Sequence, residues 1–213
     1  MDAYCERVGM GILAEPLNAF SNVSFLLAAW AAWLLASRTG ALSAGVRALI
    51  ALGASVGVGS ILWHTIPTML TLLLDIVPIL VFIVWFVWLY ARNVVGMRPP
   101  FAAACAAAFL AATFLVFPLS GVLHGALVYT PGLIVTLVLG AFHARERGVE
   151  RFTLLAAASV YLALFFRTID NEVCPVLPIG THFLWHLLIG LVTYLAMRAL
   201  ILSTATRARA RVR

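Results

Sequence analysis

The sequence predicts an all-α integral membrane protein of seven transmembrane helices, with the N-terminus outside and the C-terminus cytoplasmic. Three observations carry that expectation. Of the 213 residues, 64% are hydrophobic and only 10% are charged, with a mean hydropathy of +1.07; a soluble domain is about 25% charged. The apolar residues fall in continuous runs, each close to the ~20 residues that cross a bilayer core, which excludes a transmembrane barrel. The basic residues are all arginine and sit between those runs.

The expected spans are 17–36, 47–66, 69–91, 101–118, 121–142, 152–169 and 180–202. They form one domain, 1–213, with an outer N-terminal segment at 1–15 and a basic cytoplasmic tail at 203–213. Met1 to Glu15 carry Asp2, Glu6 and Glu15 rather than a basic start and a short apolar core, which argues against a cleavable signal peptide. Span one opens with Glu15, Asn18 and Asn22, spaced i, i+3, i+7 on one face, with Ser21 beside them. These residues either support a site or bond neighbouring helices. Pro99-Pro100 breaks the chain before span four, whose alanines suit close helix packing. Cys105 in that span reads as a small packed apolar residue. Pro118-Leu119-Ser120-Gly121 is a tight turn. His124, near the start of span five, reads as an interhelical hydrogen-bonding group, and His143, beside Arg145, as interfacial.

Arginine sets the orientation. Arg38 and Arg47, then Arg92 and Arg98, then Arg145, Arg147 and Arg151, and finally Arg198, Arg207, Arg209, Arg211 and Arg213 all fall on one side of seven spans. Only Arg7 and Arg167 fall on the other. The positive-inside rule makes the first side cytoplasmic. It also accounts for the pI of about 9.9 without a nucleic-acid partner. The arginine tail serves topology and can also touch anionic lipid.

With that topology the ionisable residues within the spans converge on the outer half of the membrane. Span two ends at Ser60 and His64, span three carries Asp75 two turns in, and span seven opens with Gly180-Thr181-His182-Phe183-Leu184-Trp185-His186. His182 and His186, four apart, share a helix face and can point at one ion. Three neutral histidines plus water is a catalytic zinc arrangement with an open fourth position. A zinc-activated water would attack a carbonyl. Asp75 would take the proton from that water and pass it to a leaving amine. Ser60 would contact the carbonyl oxygen or orient the water. The alternatives are helix packing for Ser60 beside Gly57 and Gly59, and a structural partnership of Asp75 with a histidine or Arg167. Trp63 and Trp185, each preceding a ligand, read as packing or interfacial residues. Glu6 and Glu15, with Asp2, are hard oxygen donors able to bind Ca²⁺; composition alone favours ordinary solvated acids. Cys5 and Cys174 both lie outside, where an oxidising environment allows a disulfide.

These residues together resemble the alkaline ceramidase family, within a larger set of seven-span hydrolases that includes adiponectin-receptor-like and GPI-remodelling proteins. The matching stretches are Tyr4-Cys5-Glu6, Ala14-Glu15-Pro16-Leu17-Asn18-Ala19-Phe20-Ser21-Asn22, Gly57-Val58-Gly59-Ser60-Ile61-Leu62-Trp63-His64, Leu74-Asp75-Ile76-Val77-Pro78 and the run from His182 to Gly190. The resemblance implies His64, His182 and His186 as zinc ligands with Ser60 and Asp75 beside them. It also implies a ceramide amide as substrate, cut to a sphingoid base and a fatty acid. The sequence departs from the family at the calcium segment. Ala3 stands where an acid is expected two before the cysteine, and Arg7-Val8-Gly9-Met10-Gly11 follows Glu6. The lysine-free, Ala- and Arg-rich composition suggests a bacterial inner-membrane protein with its active site toward the periplasm. The expected partners are a lipid substrate and the membrane. The alternatives are a hydrolase of another lipid amide or ester, and a receptor-like lipid-binding protein that uses zinc structurally.

Overall fold

The computed structural model describes residues 4–9, 11–143 and 150–212, without side chains at 140, 143, 150–154 and 208–212. Asp2, Arg145, Arg147 and Arg213, and the side chains of His143, Arg151, Arg209 and Arg211, lie outside the described residues. Among the described residues eight α-helices follow one another: α1 Pro16–Ser21, α2 Val23–Thr39, α3 Ala44–Thr65, α4 Met69–Tyr90, α5 Pro99–Val116, α6 Thr130–His143, α7 Glu150–Val173 and α8 His182–Val212. There is no strand among the described residues.

The ends of these helices are written in local chemistry. Pro16 occupies the first turn of α1, where its missing N–H costs nothing. The N–H groups of Leu17 and Asn18 donate to the Glu6 carboxylate at 2.7 and 2.8 Å, so a distant acid caps the short helix. Ser43 caps α3 through Val46 N–H at 3.3 Å, and Thr68 and Thr71 form a capping box at the start of α4. Pro99 and Pro100, expected as a break, open α5.

Two expectations about span ends change. Span five is not one helix from 121. Val122–Tyr129 is a 3₁₀ stretch in which Leu123, His124 and Gly125 have φ of 52°, 51° and 82°, and α6 begins only at Thr130. The left-handed turn lets His124 Nδ1 lie 3.1 Å from the Thr168 carbonyl of α7, the interhelical role expected of it. At the other end, α8 continues to Val212, and Ser203 and Ala205 are buried. The first part of the expected tail is therefore packed helix.

Among the described residues, six helical stretches are long and apolar enough to cross a membrane: Pro16–Thr39, Ala44–Thr65, Met69–Val95, Pro99–Leu119, Val122–Leu139 and His182–Arg207. α7, over the expected span at 152–169, has the side chains of its first turn outside the described residues and is not among the six. Large apolar side chains such as Trp30, Leu73, Phe114 and Phe165 face outward, as hydrocarbon permits and water does not. The chain is an integral membrane protein.

The helices pack in chain order, α2 on α3, α3 on α4 and so on to α7 on α8, and α8 closes back on α2. The main apolar core lies toward one end of this ring. It joins Ala32 and Ala36 of α2, Val46 and Leu49 of α3, Phe82 and Phe86 of α4, and Met197 and Leu200 of α8. Because successive helices run in alternating directions, the opposite end gathers α1, the end of α3 and the starts of α4 and α8. Those are the stretches that carry the polar residues.

Candidate metal centre

His64 enters from the last turn of α3, and His182 and His186 from the first two turns of α8. One ligand nitrogen from each lies within 4.8 Å of the others, and the side chains are 1%, 1% and 3% exposed. Their ring centroids are 5.4 Å apart for His64 and His182, 4.8 Å for His64 and His186, and 4.5 Å for His182 and His186. Three imidazoles in van der Waals reach cannot satisfy one another by hydrogen bonding alone. The structure assigns partners to the outward nitrogens of two of them. His64 Nδ1 lies 2.5 Å from Glu15 Oε2. His186 Nδ1 lies 2.9 Å from Ser21 Oγ, with Asn22 Nδ2 at 3.4 Å. Those contacts fix ring orientation and leave Nε2 of each ring for an ion, the arrangement by which ligating histidines are held. His182 Nδ1 is buried with no hydrogen-bond partner among the described residues. Such an orphan is rare unless something outside the chain completes it. Three nitrogen donors with no thiolate suit zinc.

The polar face of the first span therefore supports the site. Glu15 holds more than His64. Arg7 Nε donates to Glu15 Oε1, and Asn18 Nδ2 donates to Oε2 at 3.1 Å. Arg7 also donates to the His64 carbonyl at 3.2 Å, so it grips both the carboxylate and the backbone of His64. Burial alone pushes the Glu15 carboxyl up, but the hydrogen bond and charge of His64, the Asn18 amide and the Arg7 guanidinium outweigh it and hold the group below the usual carboxylate range.

These contacts correct the reading of Glu6 and Glu15 as solvated acids. They are 7% and 2% exposed. Both Glu6 oxygens accept backbone N–H groups, and both Glu15 oxygens are taken by Arg7, Asn18 and His64. The Arg7 guanidinium stands against the Glu15 carboxylate.

Ser60 and Asp75 meet because α3 and α4 nearly touch. A Cβ on Gly59 would run into the carbonyl of Leu74, so only glycine allows this approach. Ser60 is buried, and its hydroxyl faces the half-buried Asp75 carboxylate, which also feels the charges of His64 and Arg167. Packing beside Gly59 and proximity to the histidines, weighed as alternatives for Ser60, are thus both present.

Two groups have no signal in local sequence pattern. Asp170 of α7 accepts Thr181 N–H at 2.7 Å and His182 N–H at 2.9 Å through Oδ1, and Cys5 N–H at 3.1 Å through Oδ2. It caps α8 across eleven residues and so aims His182. Gly180, at φ 62° and packed against Asp170 and Cys5, makes the turn into that cap. Tyr4, quoted only for its resemblance, stacks on His182 with centroids 3.8 Å apart. Cys5 and Cys174 form a disulfide, as expected, which ties the N-terminal segment to the loop before α8. Trp63 and Trp185 are buried against the site, and Cys105 lies half-buried near Met97.

The family model for ceramidase matches residues 3–212. The chain belongs to the ceramidase family. No curated protein matches it. Ceramidase membership makes the chain a ceramidase-like amide hydrolase acting on lipid, and the match takes in every residue of the histidine cluster and its supports.

Proposed function

We propose that the protein is a zinc-dependent intramembrane amidase that cleaves an N-acyl sphingoid or closely related lipid into a fatty acid and an amine. The observation that carries this reading is the buried cluster of His64, His182 and His186, with Glu15 and Ser21 holding two of the rings. Zinc, when bound, would supply a Lewis acid for the amide carbonyl and lower the pKa of water. His64, His182 and His186 would hold it, and Asp75 is the general base and acid. Asp75 accepts a proton as water adds to the carbonyl carbon and returns it to the nitrogen as the C–N bond breaks, which balances the hydrolysis. Ser60, beside Asp75, donates to the carbonyl oxygen as charge develops there. Outward-facing Leu73, Ile76 and Val77 flank Asp75 on α4 and give acyl chains an apolar approach.

We further propose seven spans, α7 included, with the site at the outer face and the C-terminus cytoplasmic. The arginine distribution supports this orientation, and it puts the Cys5–Cys174 disulfide on the oxidising side. In a bacterium that face is the periplasmic side of the inner membrane. A panel of ceramides, other N-acyl lipids and lipid esters, incubated with metal-loaded protein and read by mass detection, tests the reaction. Release of fatty acid and amine from N-acyl lipids is the expected result. Bound zinc with no turnover of any lipid would favour a structural metal in a receptor-like protein.

A further inference from the structure

Arg167 is a cation in no direct ion pair among the described residues, at the edge of the metal centre. It lies in α7 two turns before the helix end. Its guanidinium carbon is 5.1 Å from the Tyr129 ring, 5.2 Å from Trp185 and 6.0 Å from Tyr4. Two of those rings belong to the site, since Tyr4 stacks on His182 and Trp185 precedes His186. An arginine inside an apolar bundle is costly and pairs with an acid wherever one is available. None of the nearby acids forms an ion pair with it. Asp170, one turn further along α7, gives both oxygens to backbone N–H groups. Asp75 faces Ser60 and feels the Arg167 charge without forming an ion pair with it, and Glu172 lies toward His124 at 3.9 Å. Among the described residues Arg167 is in no ion pair, and its Nε is buried with no hydrogen-bond partner. Aromatic faces orient a guanidinium and offset part of its burial, and the Tyr4 hydroxyl accepts one hydrogen bond from it, but Nε is left without an acceptor. What is left is a fixed, half-buried donor edge beside two of the three histidines.

Resting on the amidase reading, we infer that Arg167 binds a lipid carboxylate at the metal centre, a group whose planar geometry matches its fork. Two sources share that chemistry. One is an acidic head group next to the scissile amide, which would make N-acyl amino-acid-type lipids preferred over neutral ceramide. The other is the carboxylate of the released fatty acid.

The test is calorimetric binding to the full-length zinc-loaded protein carrying Asp75→Asn, so that amides are not consumed. The probes are N-dodecanoylglycine, its neutral counterpart N-dodecanoylethanolamine, and dodecanoate, with dodecanol as the neutral control for the last. Tighter binding of N-dodecanoylglycine than of the ethanolamide, by about tenfold or more, identifies the head group. The ratio should collapse toward one in Arg167→Gln and be partly restored in Arg167→Lys. An Arg167-dependent preference for dodecanoate over dodecanol, without one for the glycine conjugate, identifies the product carboxylate. No preference for either anion, or a preference that survives Arg167→Gln in protein that retains its zinc, overturns the inference. Because binding is read apart from turnover, an Arg167-dependent preference in a protein that hydrolyses no lipid would sink the amidase reading alone.

Discussion

At the residue scale the site is a set of histidines held from behind. Glu15 and Ser21 each take one imidazole nitrogen, and Arg7 braces Glu15. Glu15→Gln keeps the shape of the side chain and removes the charge, so zinc affinity should fall about 10–100-fold, measured by chelator competition. Unchanged affinity would mean that Glu15 only packs. Asp75→Asn should retain zinc while turnover falls by about 10²–10⁴; retained hydrolysis would remove Asp75 from proton transfer. The three histidines were legible in sequence because helical spacing puts His182 and His186 on one face, and because alternating span directions bring His64 to the same end. Asp170 and Arg7 were not legible as site residues. Their contacts join positions 165 and 57 residues apart, and no periodicity reports such pairings. Glu6 and Glu15 read as solvated acids for the same reason, since their partners come from folding and not from neighbours in the chain.

At the scale of elements, one glycine decides whether two catalytic candidates meet. Gly59→Ala would press a methyl onto the Leu74 carbonyl, which can move only by separating α3 from α4. We expect about 1–3 kcal/mol of destabilisation and a loss of activity larger than that of Gly53→Ala, where an added methyl meets only side chains at 3.6 Å or more. Equal activity in the two variants would show that the Ser60–Asp75 approach does not matter. The disulfide is the second elemental tie, linking the segment that carries Tyr4, Glu6 and Arg7 to the turn before α8. Alkylation of native protein should leave Cys5 and Cys174 unmodified until reductant is added, and loss of the bridge should cost about 2–4 kcal/mol. Helix positions were readable from apolar runs. Helix interruptions were less so: the left-handed turn at Leu123 to Gly125 accompanies a contact with Thr168 that span five does not encode by itself.

At the scale of the molecule, the bundle separates its labour along the membrane normal. An apolar core packs one end of α2, α3, α4 and α8, and the buried polar groups collect at the other. That division was visible in sequence because ionisable residues within spans are few and cluster near particular span ends. The proposed orientation predicts that a reporter fused after Arg213 is active only in the cytoplasm, and an external signal from that fusion would reverse the topology. The central claim, a metal held by three histidines from α3 and α8, is tested most directly by metal mass spectrometry of detergent-purified protein, wild type beside His182→Ala. About one zinc per chain in the wild type, lost in the variant, is the expected result. No zinc in the wild type even after resupply, or equal zinc in both proteins, would contradict it and return the histidines to helix packing.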